Sequence, residues 1–594
     1  MKSFFSRHMG LCALLLSLSL LIGCAPPPVA GRPSSSTEHN ATGSLADFDS
    51  FLERFFLAEV TSNTINLHFT LSAPEKYGIS ETPITLGDIS AEAMQQSRAA
   101  MENTLSALKG FDREILPKDR QLTYDILSDY LRTGLSISKL ALYDEILRPS
   151  TGIQSQLPVL YEEYRFYDQT DVEDYLKLIT LTDNYFSQII DFEQRKAKAG
   201  LFMADYACDT IIAQCETFIK NPDTHYLILT FNNKIDKVAG LTDEERALYK
   251  SKNEALVKEH ILPSYEKLAA ALTALLGSGK NDKGLCYFPD GKKYYEYLVY
   301  HNTGSAKNIS KIQKQIAAQR TSDLTQASAL TRENPDLEQN MRAVSLPEKA
   351  PADTLNILRH EMQRDFPAAP DAEFTVSYID ACMEQYMAPA FYITAPIDDY
   401  KKNSIFINAS TDASSMRYFT TLAHEGFPGH LYQTVMSYEA GLAPIRQVLN
   451  FPGYVEGWAT YVEMISYQYA GLPENAAELM SLNQSALLSL YATTDLGIHY
   501  DGWSFGDTLA FWSDYGITDQ MALREVYELI VEEPGHYLKY YVGYLEFLEL
   551  KEKARDTYGS RYSDIAFHKA ILDIGPAPFA ILEKYLDHYY RAAE

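Results

Sequence analysis

Apolar residues recur every three or four positions through most of this chain, the spacing of one face of an α-helix. Between Arg120 and Leu131 the repeat runs through Leu122, Ile126, Leu127, Tyr130 and Leu131. Between Val172 and Phe192 it runs through Tyr175, Leu176, Ile179, Tyr185, Phe186, Ile189 and Ile190. A third stretch, from Glu254 to Leu276, stops at Gly277, a residue suited to the left-handed turn beyond a helix end. The pattern predicts a mainly α protein. Period-two runs are few. Ala390 to Thr394 and Ser404 to Asn408 are rich in β-formers and flank a polar connection from Asp398 to Asn403, so they predict a small β hairpin. No internal repeat stands out.

Two breaks in the pattern divide the chain. The first follows an apolar run from Leu11 to Ile22, preceded by Lys2 and Arg7 and closed by Leu21-Ile22-Gly23-Cys24. The run is shorter than the ~20 residues that span a bilayer. The closing tetrapeptide resembles a bacterial lipobox, and that resemblance implies cleavage before Cys24 and acylation of Cys24. The chain is then expected to be exported and anchored to a membrane of the cell envelope. The Pro/Ser/Gly-rich stretch that follows cannot bury a core and reads as a tether. The second break is rich in Pro and charge, from Asn334 to Asp353. The expected organisation is a leader over 1–23, a tether over 24–44, a helical N-terminal region over 45–345 and a catalytic region over 346–594.

Composition narrows the function classes. With 594 residues the chain is long enough for more than one packed body, and 46% hydrophobic against 22% charged residues is ordinary for a globular protein. A formal net charge of −27 argues against nucleic acid as a partner, because phosphate backbones would be repelled. The 42 tyrosines suit helix interfaces, where a ring packs and a hydroxyl finds a partner. Beyond Cys24 stand Cys208, Cys215, Cys286 and Cys382. Four cysteines allow three pairings. Cys208 and Cys215 would lie ~10 Å apart on one straight helix, too far for a bridge.

The stretch that carries chemistry is His424-Glu425-Gly426-Phe427-Pro428-Gly429-His430. Two histidines with a glutamate beside the first are what a hydrolytic zinc site needs as ligands and base. Six positions separate the histidines, so on a straight helix they would point about 120° apart. Pro428 and Gly429 stand between them and can break the helix. A third ligand is available in Glu456, within Glu456-Gly457-Trp458-Ala459-Thr460-Tyr461, and Glu463 follows on the same helical face as a support for a ligand histidine.

In these blocks the chain resembles the bacterial family of unknown function numbered 885, grouped with gluzincin-like zinc metallopeptidases. His424 to His430 matches its His-Glu-x-x-Pro-Gly-His pattern, and Glu456 to Tyr461 matches Glu-Gly-Trp-Ala-x-Tyr. Asp495, Gly497, His499 and Trp503 match a third block. Pro534 to Gly543 matches a fourth, with His536 in place of a Gln and Tyr537 in place of an Ala. The resemblance implies a two-lobed, mainly helical zincin-like peptidase, similar to oligopeptidases of the thimet and carboxypeptidase Taq kind, with a small β element at its cleft. It implies His424, His430 and Glu456 as zinc ligands and Glu425 as general base. Tyr540 and His499 are the candidate oxyanion donors. Glu463, Arg446 and His536 are candidates for ligand support or substrate binding. Trp458 and Trp503 are read as core. The expected reaction is zinc-dependent hydrolysis of short peptides. A zinc hydrolase of another amide, such as a cell-wall peptide or an N-acyl group, shares the same features. A non-catalytic peptide-binding lipoprotein would have no use for Glu425.

Overall fold

A computed structural model describes residues 43–342, 344–379 and 388–593. The leader, Cys24, most of the tether and Cys382 lie outside the described residues. Helices dominate, as the period of the apolar residues predicts. The chain divides into two compact units, one made of residues 43–112 and 134–282, the other of residues 113–133 and 283–593. One boundary between the units falls after residue 282.

The first unit is built from helices. Its α1 (Leu45–Val60) starts at a capping box of Ser44 and Asp47 and buries Phe48, Phe51, Leu52, Phe55 and Phe56 on one face. The long α2 (Gln169–Ala199) starts at a capping box of Asp168 and Asp171 and ends at Gly200, whose φ of 74° only glycine adopts without strain. Cys208 and Cys215 both lie on α3 (Asp205–Phe218) as free, buried thiols. The stretch expected as one helix to Leu276 is a helix over Asp243–Leu256, a π turn over Val257–Ile261, and α4 (Leu262–Leu275).

The second unit holds every block of the candidate site. Among its elements are α5 (Gly291–Thr303), α6 (Ile309–Glu333), a three-stranded sheet and, beyond the sheet, seven helices that bear on the site. These are α7 (Met416–Glu425), α8 (His430–Glu439), α9 (Pro452–Ser466), α10 (Glu474–Leu496), α11 (His536–Tyr558), α12 (Asp564–Ile574) and α13 (Phe579–Ala593). The sheet has the order β1 (Glu373–Tyr378), β3 (Lys402–Ile407), β2 (Ala390–Ile393). The expected hairpin is β2 with β3, paired antiparallel with Tyr392 opposite Ile405. β1 joins as a third, parallel strand. Among the described residues no single helix is long and apolar enough to cross a membrane.

The central packing is α9 against α11, backbone on backbone. A methyl group at Gly457 would lie 2.5 Å from the Gly543 carbonyl carbon, and one at Gly543 would lie 2.4 Å from the Gly453 oxygen. Side chains at these two positions would push the helices apart; Gly457 and Gly543 let them touch. This close approach carries residues of α11 to the flank of Glu456.

Candidate metal centre

His424 is the penultimate residue of α7 and His430 the first of α8. The break between the helices brings the two imidazoles together, as Pro428 and Gly429 predict. A Cβ at Gly429 would lie 1.8 Å from the His424 carbonyl oxygen, so only glycine permits so tight a return. The rings of His424 and His430 stand edge-on, centroids 4.8 Å apart. Glu456, on α9, points one oxygen at both: Oε2 lies 3.6 Å from His424 Nε2 and 3.5 Å from His430 Nε2. All three side chains are buried.

These separations are long for hydrogen bonds. His424 Nε2 and both Glu456 oxygens are buried without a hydrogen-bond partner. Leaving such atoms unpaired is costly. Two ligands ~2.1 Å from one ion at the tetrahedral angle lie about 3.4 Å apart, so the group could hold a metal ion, with ligand atoms all within 4.8 Å of one another. The donor set, two imidazoles and a carboxylate, suits zinc among other transition metals.

The surroundings are strongly charged. Burial opposes a charge on His424, but Glu456, Glu463 and Glu425 outweigh it and push its pKa up to about 10. Burial likewise opposes the Glu456 carboxylate, yet Lys539 and the two histidines hold its pKa well below the usual value. Glu463 Oε2 sits 3.3 Å from His424 Nδ1, the nitrogen turned away from Glu456. Glu425 closes α7 and is buried, which raises its pKa. Its Oε2 accepts a hydrogen bond of 3.0 Å from the Tyr392 N–H on β2. β2 pairs with β3 on one side only, so this amide lies on a sheet edge beside the site.

Tyr540, on α11, has its ring 6.4 Å from that of His424, and burial pushes its pKa well above 10. His536 Nδ1 lies 2.7 Å from Glu533 Oε2, and its ring lies 5.5 Å from that of Tyr540. Lys539, which no motif singled out, lies 3.5 Å from Glu456 Oε1 and 4.9 Å from the Tyr540 ring centroid.

Two expected participants are structural. His499 Nε2 is bonded to the Ile530 carbonyl at 2.7 Å, and Nδ1 accepts from the Leu285 N–H at 3.2 Å. With both nitrogens committed to backbone and burial pulling its pKa down to about 4, His499 is a neutral core imidazole, not an oxyanion donor. Arg446 is buried, and its guanidinium clasps the carbonyls of Ile574 at 2.5 Å and Pro576 at 3.4 Å, so it does not bind a substrate carboxylate.

Asp495 and Gly497 of the third block and Gly535 of the fourth work as scaffolding. Asp495 accepts from the Gly535 N–H with both oxygens at 3.0 Å and from the Tyr295 hydroxyl at 2.5 Å. It thereby fixes the start of α11, four residues before Lys539. Gly497 lies under Trp503, where a Cβ would come within 2.3 Å of the indole. Tyr461 bonds His568 at 2.8 Å.

Fold and site together define a mainly helical protein with a buried His/His/Glu group able to hold a metal ion. The chain belongs to the family described as a bacterial protein of unknown function, DUF885, which matches residues 75–586. Two solved structures share its fold. One, from Colwellia psychrerythraea and described as a lipoprotein, is 17% identical with a TM-score of 0.81, covering 92% of this chain and 99% of that chain. The other, described as a lipoprotein of unknown function from Shewanella oneidensis, is 15% identical with a TM-score of 0.63, covering 91% and 99%. No curated protein matches the chain.

Proposed function

We propose that the protein is a zinc-dependent peptidase of two-lobed, zincin-like design that hydrolyses short peptides. The observation that carries this reading is the convergence of His424 Nε2, His430 Nε2 and Glu456 Oε2, two of them buried without a hydrogen bond, beside a buried glutamate. His424, His430 and Glu456 would hold the ion. Zinc, when bound, supplies a Lewis acid and lowers the pKa of water toward ~7.

The remaining work falls to the chain's own groups. Glu463 accepts from the Nδ1–H of His424, which leaves Nε2 with its lone pair turned toward the site. Glu425 is the general base. Its carboxylate is fixed by the Tyr392 amide, and burial raises its basicity, so it takes a proton from the attacking water. Tyr540 keeps its proton, because burial opposes the phenolate, and donates to the developing oxyanion. The edge of β2 offers backbone to an extended peptide.

We further propose that the mature chain is a cell-envelope lipoprotein anchored through Cys24. The lipobox-like Leu21 to Cys24 supports this, as do the two fold relatives described as lipoproteins.

The test is a mixed library of short peptides read by mass spectrometry, run beside N-acyl amino acids and cell-wall peptides. Wild type is expected to cleave linear peptides, and Glu425→Gln to lose ~10² to 10⁴-fold in turnover. Cleavage confined to N-acyl or cell-wall substrates would move the reading to another amide. No cleavage by zinc-loaded protein would favour a binding function.

A further inference from the structure

We propose that Lys539 is a positioning residue that occupies one oxygen of Glu456, so that Glu456 offers a single oxygen to the metal and a coordination position stays open. The inference rests on the metal-site reading above and concerns a residue that the sequence blocks do not mark.

The two oxygens of Glu456 face different partners. Oε2 lies 3.6 Å and 3.5 Å from the two imidazole nitrogens, whereas Oε1 lies 3.5 Å from Lys539 Nζ. The Lys539 contact is an ion pair without hydrogen-bond geometry, since Oε1 has no hydrogen-bond partner. The Glu456 and Lys539 side chains are 2% and 15% exposed, so water screens the pair little. A carboxylate free at both oxygens can bind a metal with both. A cation fixed on one oxygen opposes that mode, and a hydrolytic site needs a position for water.

The fold commits itself to this placement. Gly457 and Gly543 bring α9 and α11 into backbone contact, and Asp495 fixes the first turn of α11 through Gly535. Lys539 lies in the segment between those two anchors. The Tyr540 ring under its ammonium restricts where the head can go.

Cobalt(II)-substituted full-length protein tests the inference without an activity readout. Geometry is diagnostic in such spectra, and the visible band of four-coordinate cobalt is stronger than that of five-coordinate cobalt. Wild type and Lys539→Arg are expected to give the strong band, and Lys539→Met the weaker one. Zinc should also bind Lys539→Met more tightly, by about tenfold, the scale on which partners of a ligand act. A residue that merely supported the fold would weaken binding on removal. An unchanged Lys539→Met spectrum, or weaker zinc binding, overturns the inference and leaves the metal site standing. An unchanged spectrum with a raised KM would assign Lys539 to substrate. If wild type takes up no cobalt, the metal-site reading itself fails. Should Lys539→Met not fold, the zinc-minus-apo infrared difference of wild type decides. A wide carboxylate splitting marks one-oxygen binding, and a narrow splitting overturns it.

Discussion

The indole N–H of Trp458 donates a 2.9 Å hydrogen bond to the carbonyl oxygen of Pro428. It ties the helix that carries Glu456 to the break between His424 and His430, so one bond joins two sequence blocks 30 residues apart. Trp458 is core, as expected, and also a clamp on the His/His/Glu group. Trp458→Phe keeps most of the ring and leaves the carbonyl buried without its donor. A loss of about 2 kcal/mol in urea unfolding is expected, with weaker zinc binding in a competition titration. Stability lost with zinc affinity unchanged would detach the clamp from the site.

Gly457→Ala and Gly543→Ala should each destabilise the protein by about 1–3 kcal/mol, because the added methyl meets backbone that cannot step aside. Gly506→Ala is the control. Its Cβ would find only the Ser504 hydroxyl at 3.5 Å, an ordinary contact, and the change should be neutral or stabilising by up to about 1 kcal/mol, the helix preference of Ala over Gly. Thermal melts of the three variants decide this.

Arg446→Met separates scaffold from site. The lost bonds to Ile574 and Pro576 should lower stability by roughly 1.5–3 kcal/mol, the scale for hydrogen bonds to a charged donor. KM for any cleaved peptide and zinc content should hold. A raised KM with intact stability would restore the substrate-binding role that Arg446 was expected to have.

Asp495 predicts a pH dependence of stability. Burial raises its pKa from 3.8 to about 7 in the folded chain. Between those values the folded state keeps a proton that the unfolded state has released. The group's stabilising contribution is therefore complete below about pH 4 and is lost as pH rises through about 7. Asp495→Asn cannot titrate. Wild-type stability minus that of the variant should fall between pH 4 and 7 and then level off; a flat difference would mean Asp495 is charged throughout.

Much of the site was legible because its residues are close in sequence or follow helical spacing. The Pro428–Gly429 break explains how histidines six apart meet, and β2 with β3 appears where the β-rich runs stand. β1 was missed although Phe374, Val376 and Tyr378 alternate with polar residues; its partner strand lies beyond an intervening segment. The roles of His499 and Arg446 were not legible, since motif position cannot show that backbone groups from distant segments already engage them. Lys539 was invisible for a similar reason. Its neighbour Glu456 reaches it only through glycine contacts between two helices.

The central claim is that His424, His430 and Glu456 hold one zinc. Elemental analysis of full-length protein, after dialysis against metal-free buffer, tests it directly. The account predicts about one zinc per chain in wild type and in Glu425→Gln. It predicts loss of most of that zinc in folded His424→Ala, His430→Ala and Glu456→Ala. Full zinc in all three alanine variants, or none in wild type after zinc loading, would contradict it.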